Sequence, residues 1–209
     1  MSRIKIIEFN SDPHEYRIKG IWVPSITQCL SAAGFDYWKD VNPRLLERSR
    51  KFGKNFHRAR EFYDNGSLDF KSLDKAFWPY LDQWARVKKD YGIRVLKSEE
   101  IVYSQKYMSA GTMDIRAIYR GDLAVIDTKL VFEVYPSTNL QLAGYQAFYN
   151  EMHPNKGIKK RLIINLTGEG RPEVRECTNQ MDWIYMLSAI HIAHCKIHYK
   201  IFKKEKQTK

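Results

Sequence analysis

Three residues in one short stretch have the types and spacing of a reaction centre. They are Asp114, Asp127 and Lys129, in the segment GTMDIRAIYRGDLAVIDTKL that runs from Gly111 to Leu130. Two apolar runs flank a polar turn at Arg120-Gly121-Asp122, the pattern of a β-hairpin. Strand side chains alternate, so Asp127 and Lys129 share a face. A two-residue loop at Arg120-Gly121 sets Asp114 opposite Asp127; a loop at Gly121-Asp122 sets it opposite Lys129. Either register gathers all three polar groups on one face, whereas a three-residue loop would flip one strand. Carboxylates facing each other in a sheet repel, and burying one unpaired costs about 2–7 kcal/mol or more. A divalent cation between them removes the conflict, and Mg²⁺ suits a site of few carboxylates and several waters. Such an ion polarises a phosphoryl oxygen and acidifies a bound water, while a nearby ammonium stabilises developing charge. The spacing also fits a structural Asp114–Lys129 ion pair with Asp127 near a strand end.

The elements that must position these groups can be read from periodicity. The chain opens with β-like runs, IKIIEF and EYRIKGIWV, the second turning at Lys19-Gly20. A short helix follows, with Ser25 and Gln28 as a capping box and Gly34 as its end. A basic helix is expected from about Pro43 to Asn65, stopped by Asn65-Gly66. Another is expected from about Leu73 to Tyr91, stopped by Gly92. Its stripe of Phe77, Leu81, Trp84 and Val87 reads as core, with base stacking the alternative. Strands are expected at 101–107, 112–119 and 123–130, a helix at 138–152, a strand at 161–167, a hairpin near 173–177 and a last helix at about 179–202. Helices and strands in this order predict an α/β (α+β) sandwich.

Bulk composition bounds the function. The 209 residues, 44% hydrophobic and 13% aromatic, suffice for a real core and one domain. The predicted subdivision is an N-terminal hairpin and helices over 1–98, a catalytic core over about 99–167, and a C-terminal helix over about 179–202 with a basic tail. Three scattered cysteines, Cys29, Cys177 and Cys195, exclude a four-cysteine cluster within one chain and point to reduced thiols. No apolar run approaches the roughly 20 residues of a membrane span, and the N-terminus lacks a signal-peptide segment. The expectation is a cytoplasmic protein of a bacterium or phage-infected cell. A net charge of +11 favours a polyanionic partner. Part of that charge sits in the tail KIFKKEKQTK. Other basic groups cluster at Arg48, Arg50, Lys51, Lys54, Arg58 and Arg60, and at Lys156, Lys159, Lys160 and Arg161. Arg50, Lys54 and Arg58 are the expected nucleic-acid contacts; the alternative for each cluster is a solvated face. His191, His194 and His198 share helical spacing but have no acidic partners, and they read as packing or phosphate-contacting residues.

Five short motifs occur in order: Pro24-Ser25-Ile26-Thr27, Gly53-Lys54-Asn55-Phe56-His57, Gly111-x-x-Asp114, Asp127-Thr128-Lys129 and Gln141-x-x-x-Tyr145. Together they resemble the RecB-like exonuclease branch of the PD-(D/E)XK nuclease superfamily, including its stand-alone phage and mitochondrial members. The resemblance covers about residues 14–150. It implies a restriction-endonuclease-like core, a mixed sheet flanked by helices in the order αβββαβ. It implies that Asp114, Asp127, His57 and the Thr128 carbonyl hold Mg²⁺ or Mn²⁺. Lys129 would position the attacking water, and Gln141 and Tyr145, four apart on one helix face, would brace the site or bind the DNA backbone. A glutamate is common at the start of the first core strand in this branch. Here Glu99 and Glu100 stand there, and Glu100 is expected beside the site. The iron–sulfur cysteines of some members and all helicase motifs are absent.

The resulting expectation is a metal-dependent deoxyribonuclease, a hydrolase acting on phosphodiester bonds of DNA with free ends or single strands and leaving a 5′-phosphate. Recombination, replication or repair, in a phage or mobile element first, is the setting the family suggests. The alternatives are a structure-specific endonuclease or resolvase on the same fold, or a nucleic-acid-binding module without catalysis. Oligomeric state, polarity of digestion and Mg²⁺ against Mn²⁺ are left open by the sequence.

Overall fold

Turn chemistry sets the first sheet. Lys19 and Gly20 both take positive φ, 50° and 78°, as a two-residue hairpin turn requires. They join β2 (His14–Ile18) to β3 (Ile21–Val23), and β1 (Ile7–Ser11) pairs on the other side of β2. This computed structural model describes residues 6–35 and 41–202; the basic tail beyond Phe202 lies outside them.

Helix α1 (Ile26–Ala32) starts where the sequence places it. The Ser25 hydroxyl accepts from Gln28 N–H at 3.1 Å, and the Gln28 side chain accepts from Ser25 N–H at 2.9 Å. Helix α2 (Pro43–Asp64) is capped by the Asn42 side chain and has Pro43 in its first turn. It ends at Gly66, φ 69°, where Ser67 N–H reaches back to the Phe62 carbonyl. Helix α3 (Trp78–Asp90) is shorter than the predicted 73–91; Lys75–Phe77 form a 3₁₀ turn instead, capped by Asp74. Proline at position 79 marks the new start, since it fits the first turn of a helix but no later position. The expected stripe is core: Phe77, Leu81, Trp84 and Val87 are all buried.

The main sheet has the order β4-β5-β6-β7-β8: Arg94–Ser104, Ser109–Tyr119, Asp122–Lys129, Lys160–Asn165 and Glu173–Glu176. All neighbours are antiparallel except β6 and β7. That parallel pair needs a crossover, which α4 (Ser137–Met152) provides. Helix α5 (Met181–His198) follows β8. Strand β4 begins seven residues before its predicted start, because its first half is mostly exposed and lacks an apolar run.

Helices cover both faces. Helices α1, α4 and α5 pack with Val102, Met113, Val125 and Ile163 on one side. Helices α2 and α3 pack with Ile115, Ala117, Ala124, Ile126, Leu162 and Ile164 on the other. The fold class is thus the mixed α+β architecture expected, a five-stranded mixed sheet flanked by helices. Among the described residues, no helix is long and apolar enough to cross a membrane.

One irregularity matters for function. Met113 and Ile115 are two apart, yet they serve opposite cores, so the alternation slips at Asp114. Across from it in register, between the pairs Ser98–Ile115 and Glu100–Met113, Glu99 takes a left-handed φ of 50°. The β5–β6 ladder also stops at Ile115–Ile126, one residue short of Asp114 and Asp127. The sheet opens where the acids lie.

Candidate metal centre

The hairpin turn resolves the register question. Arg120 and Gly121 are the loop, with φ of 50° and 83°, and Tyr119 pairs with Asp122. Asp114 and Asp127 therefore stand opposite each other, one step past the ladder. Where the next main-chain bond would form, Thr128 N–H donates instead to Asp114 Oδ2 at 2.9 Å, and the Thr128 hydroxyl donates to the same oxygen at 2.7 Å.

Helix α2 supplies the rest through one stripe. Arg50, Gly53, His57, Arg60 and Asp64 recur at intervals of three and four, so they share a face that runs from the cleft into the core. His57 Nδ1 lies 2.9 Å from Asp114 Oδ1. Arg60, fully buried, donates to that same oxygen and also reaches Asp64. Asp64 in turn accepts from Trp84 Nε1–H at 2.9 Å and from Lys88. Glu99 completes the group: one ligand atom each from His57, Glu99 and Asp114 lie within 4.8 Å of one another.

Asp127 sits beside this triad. Lys129 Nζ is 2.8 Å from its Oδ2 and 3.1 Å from its Oδ1, although only the Oδ1 contact has hydrogen-bond geometry. Asp127 Oδ2 is thus a buried acceptor that no donor satisfies.

The electrostatics follow from these contacts. Burial alone would raise the Asp114 carboxyl, but the Arg60 guanidinium, then His57 and the Thr128 N–H, outweigh it and hold it well below the usual carboxylate range. Burial would lower His57, yet the Asp114 charge and hydrogen bond raise it. Burial lifts Asp127, only partly offset by Lys129, and the Asp114 charge adds to the lift. Glu99 keeps part of its surface in solvent, but burial of its carboxyl and the Asp114 charge push it up to about 7.

These residues fit a divalent cation. One imidazole and carboxylate oxygens form a donor set able to hold a metal ion. Asp127 Oδ2 is an unsatisfied acceptor at the same place. The Arg60 guanidinium faces Asp114 as a fixed positive charge, and a cation would add to it on the side of His57.

A cleft of about 610 Å³ opens onto the centre. His57, Thr128, Lys129 and Gln141 line it, as do Gly53, Arg50, Lys54 and Thr27. Gln141 Nε2 donates to the Tyr145 hydroxyl at 2.9 Å and to Thr27 Oγ1 at 3.3 Å. Tyr145 is buried against Gly111, where an added Cβ would lie 2.7 Å from its Cε1. The glycine of the Gly-x-x-Asp motif is therefore explained by close approach, since its φ is unexceptional. Ser25 bridges to Ala110 in β5, which seats the Pro24–Thr27 segment beside that glycine.

Several sequence expectations land elsewhere. Glu100 turns away from the centre, with Arg116 Nε at 2.6 Å and Lys97 at 3.5 Å; Glu99, its neighbour on the opposite face of β4, takes the place expected of it. Arg58, one residue after His57 and so about 100° around the helix, lies over Phe62 and lines a separate shallow groove. Arg60, read as part of a basic surface segment, is an internal ion-pair partner. Its spacing of three from His57 could have revealed it; the helical period alone puts both on one face. In the cluster at 156–161 only Arg161 is buried, paired with Asp182; Lys156 and Lys159 are exposed, with Lys159 paired to Asp122, and half-buried Lys160 pairs with Glu176. His194 Nε2 lies 2.9 Å from the Tyr107 carbonyl, a packing contact.

No family model matches the chain, and no curated protein matches it. Solved structures do. One is the crystal structure of a candidate exonuclease from Eubacterium rectale, 15% identical, with a TM-score of 0.54 over 87% of this chain and 83% of that one. Another, the protein SSO0001, is 13% identical with a TM-score of 0.43, over 87% of this chain and 76% of that one. At such identity the first likeness speaks to architecture. The chain shares that structure's architecture, a five-stranded mixed sheet flanked by helices, with a His–Glu–Asp group able to hold a metal ion at the open end of its central hairpin.

Proposed function

We propose that the protein is a divalent-cation-dependent deoxyribonuclease, an exonuclease acting on DNA ends or single strands, of the RecB-like PD-(D/E)XK type its motifs resemble. One observation carries this reading: the donor atoms of His57, Glu99 and Asp114 converge within 4.8 Å, next to the Asp127–Lys129 pair. His57, Glu99 and Asp114 would hold Mg²⁺ or Mn²⁺, with Asp127 as the adjoining acceptor. The bound ion supplies a polarised phosphoryl oxygen and an acidified water.

The chain's own groups do the remaining work. An ammonium has three donors, and the contacts of Lys129 are both to Asp127. Asp127 thus fixes the lysine through one hydrogen bond to Oδ1, which leaves donors for the attacking water or a phosphoryl oxygen. Water adds to phosphorus, the P–O3′ bond breaks, and the products carry a 5′-phosphate and a 3′-hydroxyl. Arg60, with Thr128, holds the Asp114 carboxylate in one orientation. Gln141 is held by Tyr145 and Thr27 at the cleft wall, in reach of a DNA backbone. Arg50 and Lys54 on the cleft favour phosphates electrostatically.

The test is digestion of end-labelled linear single strands, linear duplex and closed circular DNA by wild type and Lys129→Ala, with Mg²⁺, Mn²⁺ or EDTA. Metal-dependent loss of label by the wild type alone, with circles intact, supports the exonuclease. Cleavage of closed circles moves the reading to an endonuclease. Tight DNA binding with no cleavage in either metal leaves a binding module.

A further inference from the structure

Phe132 is the most exposed large apolar side chain among the described residues, at 106% of its reference surface. It sits on the segment between Lys129, the last residue of β6, and α4, which bears Gln141. Leu130, Val131, Val134 and Tyr135 on that segment all line the cleft. An isolated exposed apolar residue needs no explanation. This one differs because the main chain beneath it is built to hold still.

The holding group is Asn165, buried at the end of β7. Its side-chain amide clamps Val131 from both sides: Nδ2–H donates to the Val131 carbonyl at 2.8 Å, and Val131 N–H donates to Oδ1 at 3.2 Å. Leu166 N–H donates to the Lys129 carbonyl at 2.8 Å. Beyond the segment, Thr138 N–H and Asn139 N–H bond back to Tyr135 and Pro136. A buried polar side chain is thus used to fix the residue directly before the exposed ring. Its ordering cost is met in the fold, which is what a preorganised contact requires.

We propose that Phe132 is a stacking platform for one nucleobase of a single-stranded segment, placed at the cleft rim so that the adjoining phosphate meets Lys129. This rests on the nuclease reading and names what its cleft takes. Aromatic rings stack on any base face, so the contact is tolerant of sequence. Chemistry at Lys129 and recognition at Phe132 are three residues apart on one clamped strand end, which ties the register of the strand to the scissile bond. The partner chemistry is an unpaired base, since bases within a duplex are already stacked on their neighbours.

The experiment compares wild type, Phe132→Ala, Phe132→Tyr and Phe132→Trp. Binding is measured in the Lys129→Ala background by fluorescence anisotropy of a labelled oligothymidylate and of the same oligomer with abasic sites. Steady-state cleavage is measured in the Lys129 background. Full exposure of Phe132 means that these variants should keep the wild-type Tm. The expected result is about tenfold weaker oligothymidylate binding for Phe132→Ala, with Tyr and Trp retaining affinity. The abasic oligomer should bind equally to all four. In cleavage, KM should rise for Phe132→Ala while kcat holds. Equal oligothymidylate binding by Phe132→Ala, or an equal loss on the abasic oligomer, overturns the platform while leaving a nuclease that cuts in place. Phe132-dependent binding without any metal-dependent cleavage would keep the platform and reject the nuclease. Absence of both binding and cleavage rejects both.

Discussion

Arg60 and Asp114, fifty-four residues apart in sequence, form a buried ion pair in which the guanidinium of α2 donates to the carboxylate of β5. The contact ties the helix bearing His57 to the strand bearing the acid. It is continued through Asp64 to Trp84 and Lys88, so α3 also supports the centre.

Removing Arg60 strands two buried acids. Arg60→Met should lower unfolding stability by about 3–5 kcal/mol, the usual cost of breaking a buried pair by deleting one partner. Urea unfolding checks this. Asp114→Asn in the same background should recover part of the loss. Strictly additive effects of the two changes would show that the pair is not coupled.

The two neighbouring glutamates should separate cleanly. Glu99→Gln should weaken Mn²⁺ binding, read as the cation-induced rise in Tm, by roughly 10–100-fold. Glu100→Gln removes only the Arg116 and Lys97 contacts and should leave Mn²⁺ binding near wild type. The reverse pattern would place the metal on the other face of β4.

Gly53 lies one turn before His57 on the cleft, and a Cβ there meets nothing within 4 Å. Gly53→Ala should therefore stabilise the fold by about 0.5–1 kcal/mol, the helix-propensity gain, while lowering cleavage because the methyl enters the space before His57. Thermal melts and turnover numbers read the two effects. Greater stability with unchanged turnover would leave the glycine without a role in the cleft.

Gly111→Ala should cost about 1–3 kcal/mol, as overpacked cores do, because its Cβ would lie 2.7 Å from the Tyr145 ring. In a Tyr145→Ala background the same change should cost almost nothing. A double-mutant cycle in urea measures the coupling; its absence would mean that the strand shifts to accommodate the methyl.

The thiols should sort by environment. Burial pushes Cys29 up to about 12 and Cys177 up to about 11, whereas Cys195 is exposed. At pH 8 their thiolate fractions are roughly one in ten thousand and one in a thousand. Raising the pH adds thiolate tenfold per unit without opening the core. Iodoacetamide on the native protein should label Cys195 alone, and all three in denaturant, by intact mass. Native labelling of Cys29 would contradict its packing under β5.

Much of this was legible because it is local. Alternation of side chains, the Ser25 capping box, a turn within Arg120-Gly121-Asp122 and the Phe77–Val87 stripe depend on neighbours within a few residues, and the sequence alone determined them; which two of the three turn residues form the loop came from the structure. It also determined the order of the five motifs and that Asp127 and Lys129 share a face, which follows from a period of two; that Lys129 pairs with Asp127 rather than Asp114 came from the structure. Which glutamate approaches Asp114 was not local. A simple alternation puts either Glu99 or Glu100 on the right face, and only the slip at Asp114, with the left-handed turn at Glu99, selects the first. Nor could charge counting tell a surface arginine from a buried one. Arg58 and Arg60 look alike in sequence; the packing of α2 on the sheet sends one to solvent and the other into an ion pair, because only one side of a helix can meet the core.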